Sequence, residues 1–375
     1  MPKVLIAGAS GLVGNAAMHH FAGLSGWEAV GVSRRVPPAI PGAMVVPLDL
    51  LDAEACKAAI AGMGDVTHVV YAALQEAPGL FQGWLDEKLI ERNATMLRNL
   101  CEPLFEIARL EHISLLHGTK AYGVHHPSIG TAGLRVPLRE REPRREHPNF
   151  YFEQEDYLLD KQRTHGFAMT MFRPTVIYGG AWGNNMNPLP VIAAYGALLR
   201  EAGEPLHFPG RSAEPVVREA VDADLVASAL GWAATSGAAH GDAFNLTNGD
   251  VFSWESVWPG IARALGMEVG AHRPFSFAKE LPGGRGDWER LVSKYGLAAP
   301  ANLLEFVGEN SLIYTDMLFA GPRPGAPILN STIKARQAGF ADCMDTEDMF
   351  RIWLLRLAEE NVIPPAERPS PILIQ

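Results

Sequence analysis

The sequence predicts an α/β fold, a Rossmann-type doubly wound parallel sheet with a smaller, mostly helical C-terminal substrate lobe. Three observations carry this. An apolar run of strand length, Val4 to Ala7, is followed by Gly8, Gly11 and Gly14 at three-residue spacing, and a helical pattern begins at about Leu12. Strand-length apolar segments then alternate with helical ones as far as Pro174, a rhythm that requires parallel pairing with right-handed crossovers. Past Tyr178-Gly179 the alternation breaks and Gly, Asn and Pro become frequent.

Strand, glycine turn and helix together aim free backbone N–H groups and a positive helix end at a pyrophosphate. Gly8 permits the tight turn, Gly11 lets the backbone approach the ligand, and Gly14 lets the helix pack against the strand. Ser10, Leu12 and Val13 complete the expected cradle. The form Gly-x-x-Gly-x-x-Gly is typical of short-chain dehydrogenase/reductase proteins.

Trp27 to Ser33 reads as the second strand and ends Ser33-Arg34-Arg35. At this point of the fold an acidic residue binds the 2′-hydroxyl of NAD, whereas Arg accommodates the 2′-phosphate of NADP. Two arginines and no carboxylate make NADPH (NADP+) the expected cofactor. Met44 to Leu50 is the third strand, with Asp49 and Leu50 at its end suited to the adenine edge. A short helix from Ala53 to Met63 precedes the fourth strand, Thr67 to Ala73, where small Ala72 and Ala73 leave room for the cofactor's backbone. A long helix from about Trp84 to Leu110 carries Asn93, a further cofactor-side candidate.

The fifth strand, His112 to Leu116, runs into His117-Gly118-Thr119-Lys120-Ala121-Tyr122-Gly123, of which Gly118, Thr119 and Lys120 fall on the cofactor side. Leu134 to Pro148 is charged and proline-bearing, hence loop. A helix from about Phe152 to Thr164 leads to the sixth strand, Phe167 to Phe172, ending Arg173-Pro174. Pro174, Val176 and Ile177 then border the cofactor. A helix spans Leu189 to Arg200, Asp222 and Asp224 open another, and Ala243 to Leu246 is a further strand. The expected division is a dinucleotide-binding domain of residues 1–180, with 216–250 returning to it, and a lobe of residues 181–215 and 251–375 over the far end of the cleft. The loop bearing Trp182 and Met186, with Asn184 to Asn187, is expected to border nicotinamide and substrate.

With 375 residues, 47% hydrophobic and 20% charged, the composition is that of an ordinary globule with a sizeable core. A net charge of −10 argues against nucleic acid or an anionic membrane as partner. Cys56, Cys101 and Cys343 are widely spaced and read as thiols of a reducing compartment. Without a leader pattern or an apolar run of spanning length, the cytoplasm is the expected location. The paired His19-His20 and His125-His126 lack metal-ligand spacing, and no metal is expected.

A nicotinamide reductase needs a hydroxyl donor at the substrate carbonyl and a cation to keep it poised. Short-chain reductases place both on one helix face as Tyr-x-x-x-Lys, because i and i+4 are neighbours. Tyr157-Leu-Leu-Asp-Lys161 is a literal match. Only eleven residues separate Lys161 from Arg173, too few for the usual long helix and the next strand. Tyr151 stands where the helix begins, but its i+4 residue is Glu155, so its cation must come from elsewhere.

Asn149-Phe-Tyr-Phe-Glu-Gln-Glu-Asp156 resembles the signature of the progesterone 5β-reductase/iridoid synthase family of extended short-chain reductases. So do Leu116-His-Gly-Thr-Lys120, Gly31-Val-Ser-Arg-Arg35, Arg173-Pro-Thr-Val-Ile-Tyr-Gly179, Phe244-Asn-Leu-Thr-Asn-Gly-Asp-Val-Phe-Ser-Trp254, and Ser331 to Phe340 with Asp345-Thr-Glu-Asp348. The resemblance implies Tyr151 and Lys120 as the catalytic pair, with both also touching the cofactor. It implies hydride delivery from NADPH to the β-carbon of an enone, Tyr151 acting on the developing enolate oxygen. After the lysine the family commonly reads His-Tyr and a Gly-Pro-Phe-like turn, where this chain has Ala121-Tyr-Gly-Val-His-His126. Tyr122 is therefore a substrate-side candidate in an altered pocket wall.

The leading expectation is an NADPH-dependent reductase of activated C=C bonds. Alternatives are a carbonyl reductase, an epimerase/dehydratase-like enzyme, and a regulatory NADP(H)-sensing protein without turnover. The expected partner is a small-molecule enone or carbonyl compound, with no nucleic acid and no membrane; self-association, if any, is expected as a homodimer.

Overall fold

A computed structural model describes residues 1–127, 129, 134–212, 214–322 and 327–366. Seven strands form one parallel sheet: β1 (Lys3–Ala7), β2 (Glu28–Ser33), β3 (Ala43–Pro47), β4 (His68–Tyr71), β5 (His112–Leu116), β6 (Ala168–Pro174) and β7 (Asp242–Leu246). Their spatial order is β7-β6-β5-β4-β1-β2-β3, so the winding reverses between β1 and β4. A doubly wound sheet opens its ligand crevice at such a reversal, beyond the carboxyl ends of the strands.

Register fixes which residues meet there. Ala7 pairs with Val32 on one side and Tyr71 on the other, and Leu115 pairs with Tyr71 and Met171. Gly8, Ser33, Ala72, Leu116 and Phe172 therefore follow at one level. Helices α1 (Leu12–Gly23), α2 (Ala53–Ile60), α3 (Glu87–Ile107) and α4 (Phe150–His165) make the crossovers, and α5 (Ala223–Thr235) packs on α1. Leu5, Val30, Val69, Ile113 and Leu115 on one face of the sheet form a continuous core with Cys56 and Ile60 of α2, Leu97, Leu100 and Leu104 of α3, and Leu158 of α4. Each such side chain contributes about 1.5–3 kcal/mol by leaving water.

Contacts divide the chain into two units. The first comprises Met1–Val176, Val221–Thr247 and Gly325–Cys343, and the second Ile177–Ala220, Asn248–Pro324 and Met344–Gln375. The segment Gly325–Cys343, which the sequence reading left in the C-terminal lobe, thus falls with the first unit; its helix Ile333–Gln337 lies against β7. The second unit holds the helices Pro188–Glu201, Trp254–Ala264 and Thr346–Glu359 and a small parallel pair, Leu206–Phe208 with Val269–His272. Trp254, stacked on Phe319 at 4.2 Å, is buried at its centre with Trp258 and Phe350. No helix of the described residues is long and apolar enough to cross a membrane.

Two of the boundary shifts from the sequence reading bear on the site. β3 ends at Pro47 rather than Leu50, the bond from the Leu48 N–H to the Ser33 carbonyl (3.0 Å) closing the ladder. Helix α4 starts at Phe150, which sets Tyr151 within its first turn.

Candidate active site

The glycine turn after β1 is built by close approach. Gly8 has φ +84°, and a Cβ there would lie 2.8 Å from the Ala72 carbonyl oxygen and 2.9 Å from the Ala73 Cα. A Cβ on Gly14 would stand 2.0 Å from the Gly8 carbonyl oxygen, so α1 is seated on the turn itself. Gly11 occupies the N-cap position of α1 with no side-chain cap, and the first turn holds no acidic residue. The N–H groups opening the helix, with Ser10, Leu12 and Val13 around them, are thus arranged as an anion cradle. Ala72 and Ala73 lie against this turn.

At the end of β2, Ser33 is buried and its hydroxyl donates to the Arg35 carbonyl. Arg34 and Arg35 are exposed and have no ion-pair partner among the described residues. Asp49 is exposed and accepts from the Leu51 N–H at 3.0 Å. Leu50, by contrast, is 4% exposed within the core, and its carbonyl takes the Asn99 amide at 2.8 Å. Its side chain is thus turned into the core just beyond the end of β3.

Asn93 is engaged within the fold. It is fully buried, its amide oxygen accepts from the Gln75 N–H (2.9 Å), and its amide nitrogen donates to the carbonyls of Gln75 (2.9 Å) and Leu89 (3.0 Å). Its side chain pins the loop after β4, with both amide hydrogens engaged.

Tyr151 and Lys120, 31 positions apart in the chain, are brought together. The Asn149 side chain caps α4 by accepting from the Tyr151 N–H (3.1 Å), and its amide nitrogen donates to the Lys120 carbonyl (3.1 Å). One asparagine therefore ties the start of α4 to the segment after β5. A Cβ on Gly118 would come 3.2 Å from the Tyr151 hydroxyl and 3.5 Å from the Pro174 carbonyl, which locates that hydroxyl at the ends of β5 and β6. The Lys120 ammonium lies 5.8 Å from the Tyr151 ring centroid. Thr119 and Lys120 are half-buried in a short turn. Val176 is half-buried, and its carbonyl accepts from the Val221 N–H.

Three residues that the sequence reading did not single out complete the surroundings. His117 stacks on Tyr151 with centroids 4.5 Å apart and planes 15° apart. Burial, reinforced by Arg173 and Arg144, holds its imidazole well below the ordinary value and hence neutral. Glu76 and Trp84, from the loop between β4 and α3, meet Lys120 directly: Glu76 Oε1 lies 3.4 Å from Nζ and the Trp84 ring 4.3 Å from it. Burial pushes the lysine down from its ordinary value and Glu76 opposes this. None of the three shows in a hydrophobic period; only a polar residue amid an apolar strand end, as at His117, marks such a place.

The rival pair is engaged elsewhere. Tyr157 donates to Glu102 at 3.0 Å, and Lys161 lies 2.8 Å from the same carboxylate, a partly exposed cluster between α3 and α4. Tyr122 is 5% exposed and its hydroxyl donates to Asn245 Oδ1 at 2.6 Å. Ile177, Trp182 and Met186 belong to the second unit and are half-buried. Their loop is held by Asn187, which donates to the Gly179 and Ala181 carbonyls, both at 2.7 Å. Among the described residues no group of three or more His, Cys, Asp or Glu is arranged to hold a metal ion.

Comparison with known proteins shows the family and the fold. Residues 44–299 match the model of the PRISE-like Rossmann-fold domain. An (S)-8-oxocitronellyl enol synthase of Camptotheca acuminata is 28% identical over 375 residues, covering 96% of this chain and 93% of that protein. A 3-oxo-Δ4,5-steroid 5β-reductase of Arabidopsis thaliana is also 28% identical, covering 96% and 92%. Among solved structures, the Bordetella bronchiseptica enzyme WbmH in complex with NAD+ superposes with a TM-score of 0.63 at 15% identity, over 97% of this chain and all of that one. A UDP-glucose 4-epimerase of Thermotoga maritima superposes with a TM-score of 0.64 at 16% identity, over 95% and 99%. These two share the fold.

Proposed function

The chain belongs to the PRISE-like Rossmann-fold family, and on that premise we propose that it is an NADPH-dependent reductase of α,β-unsaturated carbonyl compounds. The observation that carries this reading is the convergence of the Tyr151 hydroxyl, Gly118 and Lys120 at the carboxyl ends of β5 and β6. Relatives named as an oxocitronellyl enol synthase and a steroid 5β-reductase support the substrate class.

The residues present fit a dinucleotide: the uncapped start of α1 takes the pyrophosphate, and Arg34 and Arg35 take the 2′-phosphate. NADPH supplies the hydride. Tyr151 then hydrogen-bonds the carbonyl oxygen of the substrate, where negative charge develops as the β-carbon is reduced. An oriented donor at that oxygen stabilises the enolate more than the ground state. The Lys120 charge favours electron density on the phenol and, through it, on the enolate. The neutral His117 ring, stacked on Tyr151, holds the phenol plane without adding a competing charge.

The test is NADPH oxidation by the purified chain with small cyclic and acyclic enones, the products identified by NMR. Saturated ketone is expected, formed as the enolate takes a proton from solvent at its α-carbon. Allylic alcohol would mean carbonyl reduction on the same scaffold, and tight NADPH binding without any consumption would favour a sensing role.

A further inference from the structure

Lys120 is buried with a partner that neither the helix of Tyr151 nor the motif after β5 supplies. The Glu76 side chain is 1% exposed, and that of Lys120 12%. Glu76 Oε2 and Oε1 accept from the Trp84 indole N–H at 3.1 and 3.3 Å. The same Trp84 ring lies over the ammonium at 4.3 Å and meets Phe81 edge-on at 5.1 Å. Carboxylate, indole and ammonium thus form a closed triangle, each member touching the other two. The loop that carries it is fixed at its start by Asn93, through Gln75.

From this geometry we infer that Glu76 is the positioning residue of Lys120. It keeps the ammonium charged and aimed at Tyr151, with Trp84 as the cover that excludes water from the pair. A buried ammonium loses its hydration and favours the neutral amine unless a carboxylate answers it. The other groups facing Lys120 do not answer it. The Phe150 ring lies at 5.7 Å and the Tyr151 ring at 5.8 Å. His125, beside Trp84, is held neutral at about 3 by burial and by Lys120 itself. His147 is also held below its ordinary value and directs its ring to the Arg145 carbonyl. Among these neighbours the negative charge is Glu76 alone. The inference rests on the proposed role of Lys120 beside Tyr151, and its test separates the two.

The full-length chain is compared with Glu76→Gln, Glu76→Asp and Trp84→Phe. Ionisation of Lys120 is followed by NMR of protein carrying 13C-labelled lysine, its signal assigned through Lys120→Arg, and turnover is measured against pH. In Glu76→Gln the ionisation should move down by about one pH unit or more, and the alkaline limb of kcat should move with it. Turnover should fall by up to about tenfold on the alkaline side of the shifted ionisation, with recovery at lower pH. Glu76→Asp should restore part of both shifts and keeps the test open should Glu76→Gln not fold. Trp84→Phe, which retains a ring but removes the N–H, should give a smaller shift in the same direction. An unmoved ionisation curve in Glu76→Gln, or turnover that rises, would overturn the inference. Absence of enone turnover in the unsubstituted chain would instead count against the proposed reaction, leaving the ionisation readout intact.

Discussion

The Tyr151 hydroxyl rests against the bare Cα of Gly118, where a Cβ would stand 3.2 Å from it. Nothing about the Gly118 backbone demands glycine, since its φ of 175° is ordinary extended chain. The small residue is required by the phenol. Gly118→Ala should therefore displace the hydroxyl by a few tenths of an ångström and lower turnover about tenfold or more, because small misplacements of reacting groups are costly. Tyr151→Phe, which removes the oxygen, should lower it by about 10²–10³, with NADPH binding preserved in both. Steady-state kinetics beside fluorescence titration with NADPH checks this, and full turnover in Tyr151→Phe would remove the residue from the mechanism.

Tyr157 supplies the control. Its hydroxyl and the Lys161 ammonium share Glu102, away from the strand ends that carry Gly118. Tyr157→Phe should leave turnover within about twofold and cost about 0–1 kcal/mol of stability, as partly exposed polar contacts do. A large loss of turnover with an intact fold would return the literal Tyr-x-x-x-Lys match to consideration.

Where interactions are local or periodic, the fold was legible. The His112–Leu116 strand, the Asp222-capped helix and the glycine turn after β1 follow from apolar runs, caps and spacing. The third strand was carried three residues too far at its end because Leu48 and Leu50 prolong its alternation, while pairing stops at Pro47. The parallel pair Leu206–Phe208 and Val269–His272 was missed, since such short segments of mixed polarity meet only through tertiary contact. At the site, Lys120 and Tyr151 share no helix face, and a family motif alone related them. Glu76 was illegible: a single carboxylate in an irregular loop acquires meaning from the ammonium that folding brings to it. Nor does a sequence show that the polar groups of Asn93 and Tyr122 are bonded within the fold, to Gln75 and Asn245.

Arg34 and Arg35 stand exposed at the end of β2, with no competing carboxylate paired to either among the described residues. Contacts between a guanidinium and a phosphate are charge-assisted and contribute about 1.5–3 kcal/mol each when well formed. Replacing both by Ser should narrow the preference of kcat/KM for NADPH over NADH by about tenfold or more, chiefly through KM for NADPH. Rates with NADH should change little. An unaltered ratio would mean that the 2′-phosphate is held elsewhere.

His112 links the sheet to the acid stability of the protein. Its Nε2 lies 2.9 Å from the Thr170 hydroxyl, which itself donates to the Ala239 carbonyl at 2.9 Å. The hydroxyl must then accept, so His112 carries its proton on Nε2 and is held in the neutral form. Burial, with His240 and His68 nearby, lowers it from the ordinary 6.5 to about 3. A depressed imidazole means that the unfolded chain binds a proton near pH 6.5 that the folded chain refuses. Stability from this group is therefore full above pH 6.5 and is lost as pH falls toward 3, by about 1.4 kcal/mol per pH unit where only the unfolded state is protonated. His112→Phe keeps a ring of similar size and loses the bond to Thr170, so it should be about 0.5–1.5 kcal/mol less stable at pH 7.5. Its deficit should shrink and then reverse on acidification, because the variant has no such proton to take up. Urea unfolding at a series of pH values between 7.5 and 4.5 measures both curves. Parallel curves would show that His112 is protonated in the folded sheet and that the Thr170 bond is made by the imidazolium.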